Sequence, residues 1–164
     1  MKILDSLQIR RKIERMAFEI IEENFKSEKL YLLGINNNGF NFAGMLKSQL
    51  MKISETQIIL ARLTLNPKNP VGHEIKVELD KKIMTGQNVI VVDDVANTGR
   101  TLFYAMKIFM DILPAKVETA VLVDRMHKSF PVSINFVGMT FATTIQDNIV
   151  VNLQKGKEAV FLEM

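Results

Sequence analysis

The stretch Asn88-Val89-Ile90-Val91-Val92-Asp93 constrains the fold more than any other. Its central residues are all apolar and β-branched. A strand with one wet face alternates polar and apolar residues. This one does not, so it must be covered on both faces. Strands of that kind belong to parallel sheets, whose crossover connections put helices on the faces. The rest of the chain fits. Residues 7–25 place Ile9, Ile13, Met16, Ile20 and Ile21 at helical spacing, with Asp5 or Ser6 available as a cap. Residues 31–35 read as a short buried strand, 40–53 as a second helix and 56–65 as a strand. Residues 66–74 hold two prolines and a glycine and read as a loop. Ile75, Val77 and Leu79 alternate, which suggests a half-buried strand over 75–79. A helix is expected over 101–113, closed by Pro114, and strands over 116–124, 132–138, 148–153 and 158–163. The alternation predicts an α/β fold: a mostly parallel twisted sheet flanked by helices, in one domain spanning 1–164. Ligands of such sheets bind beyond the carboxyl ends of the strands, which singles out the loops 35–40, 93–101 and 124–131.

Composition removes several classes of function. The chain of 164 residues has no cysteine, so a disulfide framework, a thiolate nucleophile and a cysteine zinc site are excluded. Its first residues meet charge before any long apolar stretch, and no apolar run approaches a membrane span. A soluble cytoplasmic protein is expected. The net charge of +3 permits a polyanionic partner without demanding one.

The buried strand ends in Asp93-Asp94, followed by Val95 and then Ala96-Asn97-Thr98-Gly99-Arg100-Thr101. Two adjacent carboxylates repel, so something must compensate them. A ribose diol offers two hydroxyl donors at a suitable separation, and carboxylates accept them readily. A turn at the acids would bring both side chains to the rim. The next segment combines a glycine, two threonine hydroxyls and the free amides of a helix start, which together can cradle an anion. Acids that take a diol beside a loop that takes a phosphate describe a ribose phosphate. No triphosphate P-loop is present, no GxGxxG is present, and the acid set of a phosphorylated receiver domain is missing.

Val89-Ile90-Val91-Val92-Asp93-Asp94-Val95-Ala96-Asn97-Thr98-Gly99-Arg100-Thr101 resembles the phosphoribosyl-pyrophosphate motif of the type I phosphoribosyltransferases. Residues 7–24, 34–46 and 120–138 resemble the bifunctional pyrimidine-operon attenuator/uracil phosphoribosyltransferase subfamily. The resemblance implies the type I phosphoribosyltransferase fold with a small hood. It implies transfer of a phosphoribosyl group to a nucleobase, with uracil or a related pyrimidine the best guess. The alternative it implies is a nucleotide-sensing RNA-binding regulator. By resemblance, Asp93 and Asp94 bind the ribose hydroxyls, and Ala96, Asn97, Thr98, Gly99, Arg100 and Thr101 hold the 5′-phosphate. Magnesium would arrive with the pyrophosphate substrate, without a dedicated protein cage. A homodimer is also implied, with helices 7–25 and 40–53 as candidate interfaces.

Several segments keep two readings. Ile35, Asn36, Asn37, Asn38 and Gly39 fall on the pyrophosphate loop, where relatives carry basic residues. Here the segment is either an anion loop or an Asn-rich turn. Asn97 stands where purine-using relatives often carry an aspartate, and an amide cannot accept a proton at neutral pH. Residues 65–76 occupy the place of the flexible catalytic loop, where Lys68 and His73 could face the leaving group or simply solvent. Arg125 can reach a phosphate or a base carbonyl and is the third candidate catalytic residue, beside Asp93 and Asp94. His127 reads as a turn residue. Phe136 and Val137 either cover the base, by stacking and by backbone hydrogen bonds, or belong to a core strand. The family's following Pro-Thr is Ala142-Thr143 here. Arg10, Arg11, Lys12 and Arg15 could face RNA, but acids on the same helix, such as Glu19, explain them locally.

Overall fold

The computed structural model describes every residue except Thr143, Ile145 and Met164. Strand β1 (Lys2–Leu4) leads into helix α1 (Ser6–Asn24), which Asp5 opens. Asp5 Oδ1 accepts from the Gln8 amide at 2.8 Å and Gln8 Oε1 accepts from the Asp5 amide at 2.9 Å, a reciprocal capping box. Ile9, Ile13, Met16 and Ile20 form the buried face, as their spacing predicts. Then follow β2 (Lys29–Ile35), α2 (Asn36–Ile53), β3 (Gln57–Thr64) and β4 (Lys76–Val77). Next come β5 (Asn88–Ala96), α3 (Arg100–Ala105), β6 (Lys116–Arg125), β7 (Phe136–Phe141), β8 (Asn148–Asn152) and β9 (Ala159–Glu163).

The main sheet has the order β4-β3-β2-β5-β6-β7. All its pairs are parallel except the short antiparallel edge strand β4. Along β5, Ile90 and Val92 pack into the apolar cluster of α1 and α2, while Val89 and Val91 pack into that of α3. This two-sided burial is what the unbroken apolar run demands. A second sheet, β1-β9-β8, forms the hood, and its Leu4, Ile149, Val151 and Val160 join the α1–α2 cluster. From β2 the chain passes through α2 to β3 on one side, and it returns on the other side as β5. The crevice between β2 and β5 is therefore a topological switch point. Among the described residues, no helix is long and apolar enough to cross a membrane.

Five expectations need correction. First, β5 runs through the acids to Ala96, so no turn begins at Asp93. Second, α2 starts at Asn36 rather than at residue 40. Asn36 makes the reversal alone, at φ 52°, and the other asparagines are already helical. Third, the helix expected over 101–113 is α3 for six residues and then a 3-10 turn, Met106–Phe109. The tighter winding lays Ile108 and Phe109 on the sheet and leaves Met110 and Leu113 exposed. Fourth, only Lys76–Val77 of residues 75–79 pairs as a strand. Fifth, β7 begins at Phe136 rather than at 132, because the ladder is replaced by side-chain bonds. Thr119 Oγ1 donates to the Ser133 carbonyl at 2.8 Å, and the Thr119 amide donates to Asn135 Oδ1 at 2.9 Å. Strand β1 and the 3-10 turn Lys81–Met84 carry no clear sequence signal.

Candidate active site

Two adjoining cavities open at the switch point. One, of about 400 Å³, is lined by Asp93, Val95, the segment Ala96 to Leu102, Arg125 and Pro67. The other, of about 420 Å³, is lined by Ile35, Asn36, Asn37, Asn38, Pro67, Asp93, Asp94, Val95, Asn97, Thr101 and Ile149. Asp93, Val95, Asn97, Thr101 and Pro67 belong to both, so the two are lobes of one site. The acid pair stands between the loop from Ala96 to Thr101 and the first turn of α2.

That close approach depends on Gly39. A Cβ there would stand 2.7 Å from the Val92 carbonyl oxygen and 3.3 Å from Asp93 Oδ1. In the cradle, Gly99 adopts φ 84°, a left-handed conformation that admits glycine without strain. The cradle is anchored from behind, where the Thr98 carbonyl accepts from the Ser129 and Phe130 amides at 2.9 and 3.1 Å. Because α3 is only six residues long, its dipole is small. The groups there that could hold an anion are loop amides, the hydroxyls of Thr98 and Thr101, and two guanidiniums. Arg100 donates to the Pro67 carbonyl at 2.7 Å, which ties the 66–75 loop to the cradle. Arg125 donates to Asn97 Oδ1 at 3.0 Å and to the Thr144 carbonyl at 2.9 Å, joining the cradle to the hood connection.

The acids are arranged for ligand rather than for stability. Asp93 Oδ1 accepts from the Asp94 amide at 2.9 Å, and Asp94 Oδ2 accepts from Asn38 Nδ2 at 3.0 Å. Burial first, and then the charge of Asp94, push the Asp93 carboxyl well above its ordinary range. A group whose folded value exceeds its unfolded value stabilises the fold fully below the unfolded value, and that stability is lost as pH rises through the folded one. The stability advantage of Asp93→Asn over the wild type should therefore widen upward from about pH 4, the unfolded carboxyl range. Urea midpoints of the two proteins across that span check the sign. An advantage that shrinks with pH would mean that Asp93 is stabilised as the anion.

The uncompensated pair suits a cation that brings its own oxygen ligands. Among the described residues, no group of three or more His, Cys, Asp or Glu could hold a metal alone. The donor set fits magnesium delivered with a phosphate substrate, which brings most of its own oxygen ligands.

The structure brings together Asp93, Asp94, the whole cradle, Ile35, the three asparagines and Arg125. Gly39 acts from beneath. It does not bring Phe136 or Val137 to the cavity. Phe136 is 3% exposed within the α1–α2 core, level with Val92 and Ala120, below the rim. The Val137 carbonyl accepts from Arg15 at 3.0 Å. Of the two readings held for this segment, the core strand is the one the packing supports. Lys68 and His73 are exposed and line neither lobe. Thr143 lies outside the described residues. Arg15 pairs with Glu19 at 2.7 Å and also donates to the Gly138 carbonyl at 2.6 Å, so it docks α1 on β7. Sequence reasoning missed Pro67 and Ile149. Ile149 reaches the site from the hood, and no local signal marks it.

Comparison with known proteins agrees with this geometry. The phosphoribosyl transferase domain model matches residues 2–155. The bifunctional protein PyrR of Bacillus cereus (strain B4264) is 37% identical over 167 residues, covering 93% of this chain and 90% of its own. The PyrR of Bacillus anthracis (strain A0248) matches to the same extent, at 37% identity and 93% of this chain. Among solved structures, the hypoxanthine phosphoribosyltransferase of Trypanosoma cruzi superposes with a TM-score of 0.78 at 18% identity, covering 98% of this chain and 94% of its own. A hypoxanthine-guanine phosphoribosyltransferase of Bacillus anthracis gives 0.74 at 20% identity, over 92% and 86% of the two chains. At these identities the structural likeness speaks for the fold. The fold, the acid pair beside its glycine-bearing loop and the family match over most of the chain lead to one conclusion: this chain belongs to the phosphoribosyltransferase family.

Proposed function

We propose that the chain transfers the phosphoribosyl group of phosphoribosyl pyrophosphate to a nucleobase, with uracil or a related pyrimidine as acceptor. The carrying observation is the acid pair between two lobes. A ribose whose hydroxyls meet Asp93 and Asp94 puts its 5′-phosphate in the cradle of Ala96 to Thr101 and its C1 substituents toward the other lobe. The C1–O bond to pyrophosphate breaks, a C1–N bond forms, and the ring nitrogen gives its proton to the departing pyrophosphate. Magnesium, when bound with the substrate, neutralises charge on the leaving pyrophosphate. The protein's part is positional and electrostatic. Asn97 lines that lobe and is held from the cradle side by Arg125, and Ile149 offers the base an apolar wall. Asn97, with its carbonyl held by Arg125, presents an amide and no proton acceptor. This supports a base that needs no carboxylate to deprotonate it, and it favours a pyrimidine over a purine.

The test is a panel assay. Protein, magnesium and phosphoribosyl pyrophosphate are incubated with uracil, cytosine, hypoxanthine, guanine and adenine, and pyrophosphate release is followed. Turnover with uracil above the purines is expected. Preference for hypoxanthine or guanine would overturn the pyrimidine assignment.

A second reading is a nucleotide-sensing regulator of pyrimidine genes that binds RNA and has weak catalysis or none. One observation favours it: the lobe beside Asp94 has no basic side chain among its described lining residues. Arg10 and Arg11 are exposed on α1 and could meet RNA, whereas Arg15 is committed to β7. The same panel separates the two readings, since nucleotide binding without turnover on any base supports the regulator. Under either reading we place the protein in the cytoplasm as one domain. We also propose a homodimer through the outer faces of α1 and α2, where Phe18 and Met51 are exposed.

A further inference from the structure

The two lobes differ in charge. The cradle lobe has the guanidiniums of Arg100 and Arg125 on its wall. The lobe beside Asp94 is lined by two carboxylates and four asparagine amides, with no lysine or arginine among the described residues. The first turn of α2 adds backbone N–H groups there, but a helix start is worth only about half a charge. It cannot balance Asp93 and Asp94, and Asn38 already spends an amide hydrogen on Asp94. A pyrophosphate in this lobe would face like charge with only the magnesium it carries, and no protein cation, to offset it, and neutral hydrogen bonds are weaker than charge-assisted ones. A ribose whose C1 bears a neutral group meets no such opposition.

We infer that the site selects ribose 5-monophosphates with an uncharged substituent at C1, the class of nucleoside monophosphates, and gains nothing from a pyrophosphate at that carbon. This deepens the ribose-phosphate reading of the same site and rests on it. The resting protein is then occupied by nucleotide product in preference to phosphoribosyl pyrophosphate. Asn37 is the position that tests the cause. It is exposed, lies in the first turn of α2 and lines the lobe. Its side chain has no hydrogen-bond partner among the described residues.

The experiment is calorimetric titration of the full chain, with saturating magnesium throughout, by ribose 5-phosphate, uridine 5′-monophosphate and phosphoribosyl pyrophosphate. Ribose 5-phosphate and phosphoribosyl pyrophosphate differ only at C1, so their ratio isolates the pyrophosphate. Phosphoribosyl pyrophosphate should bind no more than about threefold tighter than ribose 5-phosphate, and uridine monophosphate should bind more tightly than either. In Asn37→Lys, with folding checked by its melting temperature, the ratio should shift toward phosphoribosyl pyrophosphate by about fivefold or more. A larger wild-type preference for phosphoribosyl pyrophosphate overturns the inference alone. So does a ratio that Asn37→Lys does not move. Failure of all three ligands to bind overturns the ribose-phosphate reading and this inference with it.

Discussion

Replacing Asp93 by asparagine should stabilise the fold and disable the site. The carboxyl is buried beside Asp94 and held well above its ordinary range, so its charge opposes folding at neutral pH. The substituted amide would keep the oxygen that accepts from the Asp94 backbone N–H and would lose the charge. A gain of about 1 kcal/mol is expected, in the range of other substitutions that relieve strain at functional sites. The cost falls on the ligand. A hydrogen bond to a charged acceptor contributes about 1.5–3 kcal/mol, so nucleotide affinity should fall by about 10- to 150-fold. Asp94→Asn should cost affinity on the same scale without the stability gain, because Asp94 is only half-buried and already accepts from Asn38. Melting curves and titrations of both variants check these signs. A loss of stability in Asp93→Asn would mean that the anion is satisfied by the fold itself.

Gly39→Ala should have a large structural effect for a single added methyl group. The added carbon would meet the Val92 carbonyl at 2.7 Å, and the obstacle is backbone rather than a side chain that could swing away. Relief requires α2 to move off β5, and overpacking of this kind costs about 1–3 kcal/mol. For a chain of this size the melting temperature should drop by about 3–10 °C. Because Asp93 Oδ1 lies beside the same position, nucleotide binding should weaken as well. If Gly39→Ala melts with the wild type, the helix start is not packed as tightly as its glycine implies.

The legible parts of the fold were those with local causes. The run from Val89 to Val92 could only be a strand covered on both faces, and it is. The α1 face was written in its spacing and its cap in Asp5. The start of α2 was hidden because three asparagines and a glycine read as a turn, while a single left-handed residue, Asn36, makes the whole reversal. The shortening of the helix after Thr101 was equally hidden, because its apolar spacing suits either winding.

In the site, the cradle and the acids were legible because they lie within one short stretch. The aromatic-Val-Gly segment was not. Its pattern suits a base cover and a core strand alike, and only the packing of Phe136 into the α1–α2 core tells the two apart. Ile149 was out of reach of any local reading, since its place depends on how the hood sheet sits over β5. Arg100 was read for a phosphate contact, and its hold on the 66–75 loop through Pro67 had no signal in the sequence.

If Asp93 and Asp94 read a ribose diol beside a phosphate cradle, both halves of that recognition can be removed from the ligand one at a time. The most direct measurement is a titration of the protein with uridine 5′-monophosphate, 2′-deoxyuridine 5′-monophosphate and uridine under one set of conditions. Removing the 2′-hydroxyl should weaken binding by about tenfold or more, as expected when a charged acceptor loses its donor, and removing the phosphate should weaken it further. Equal affinity for the ribo and deoxy nucleotides would contradict the assignment of the acid pair to the diol.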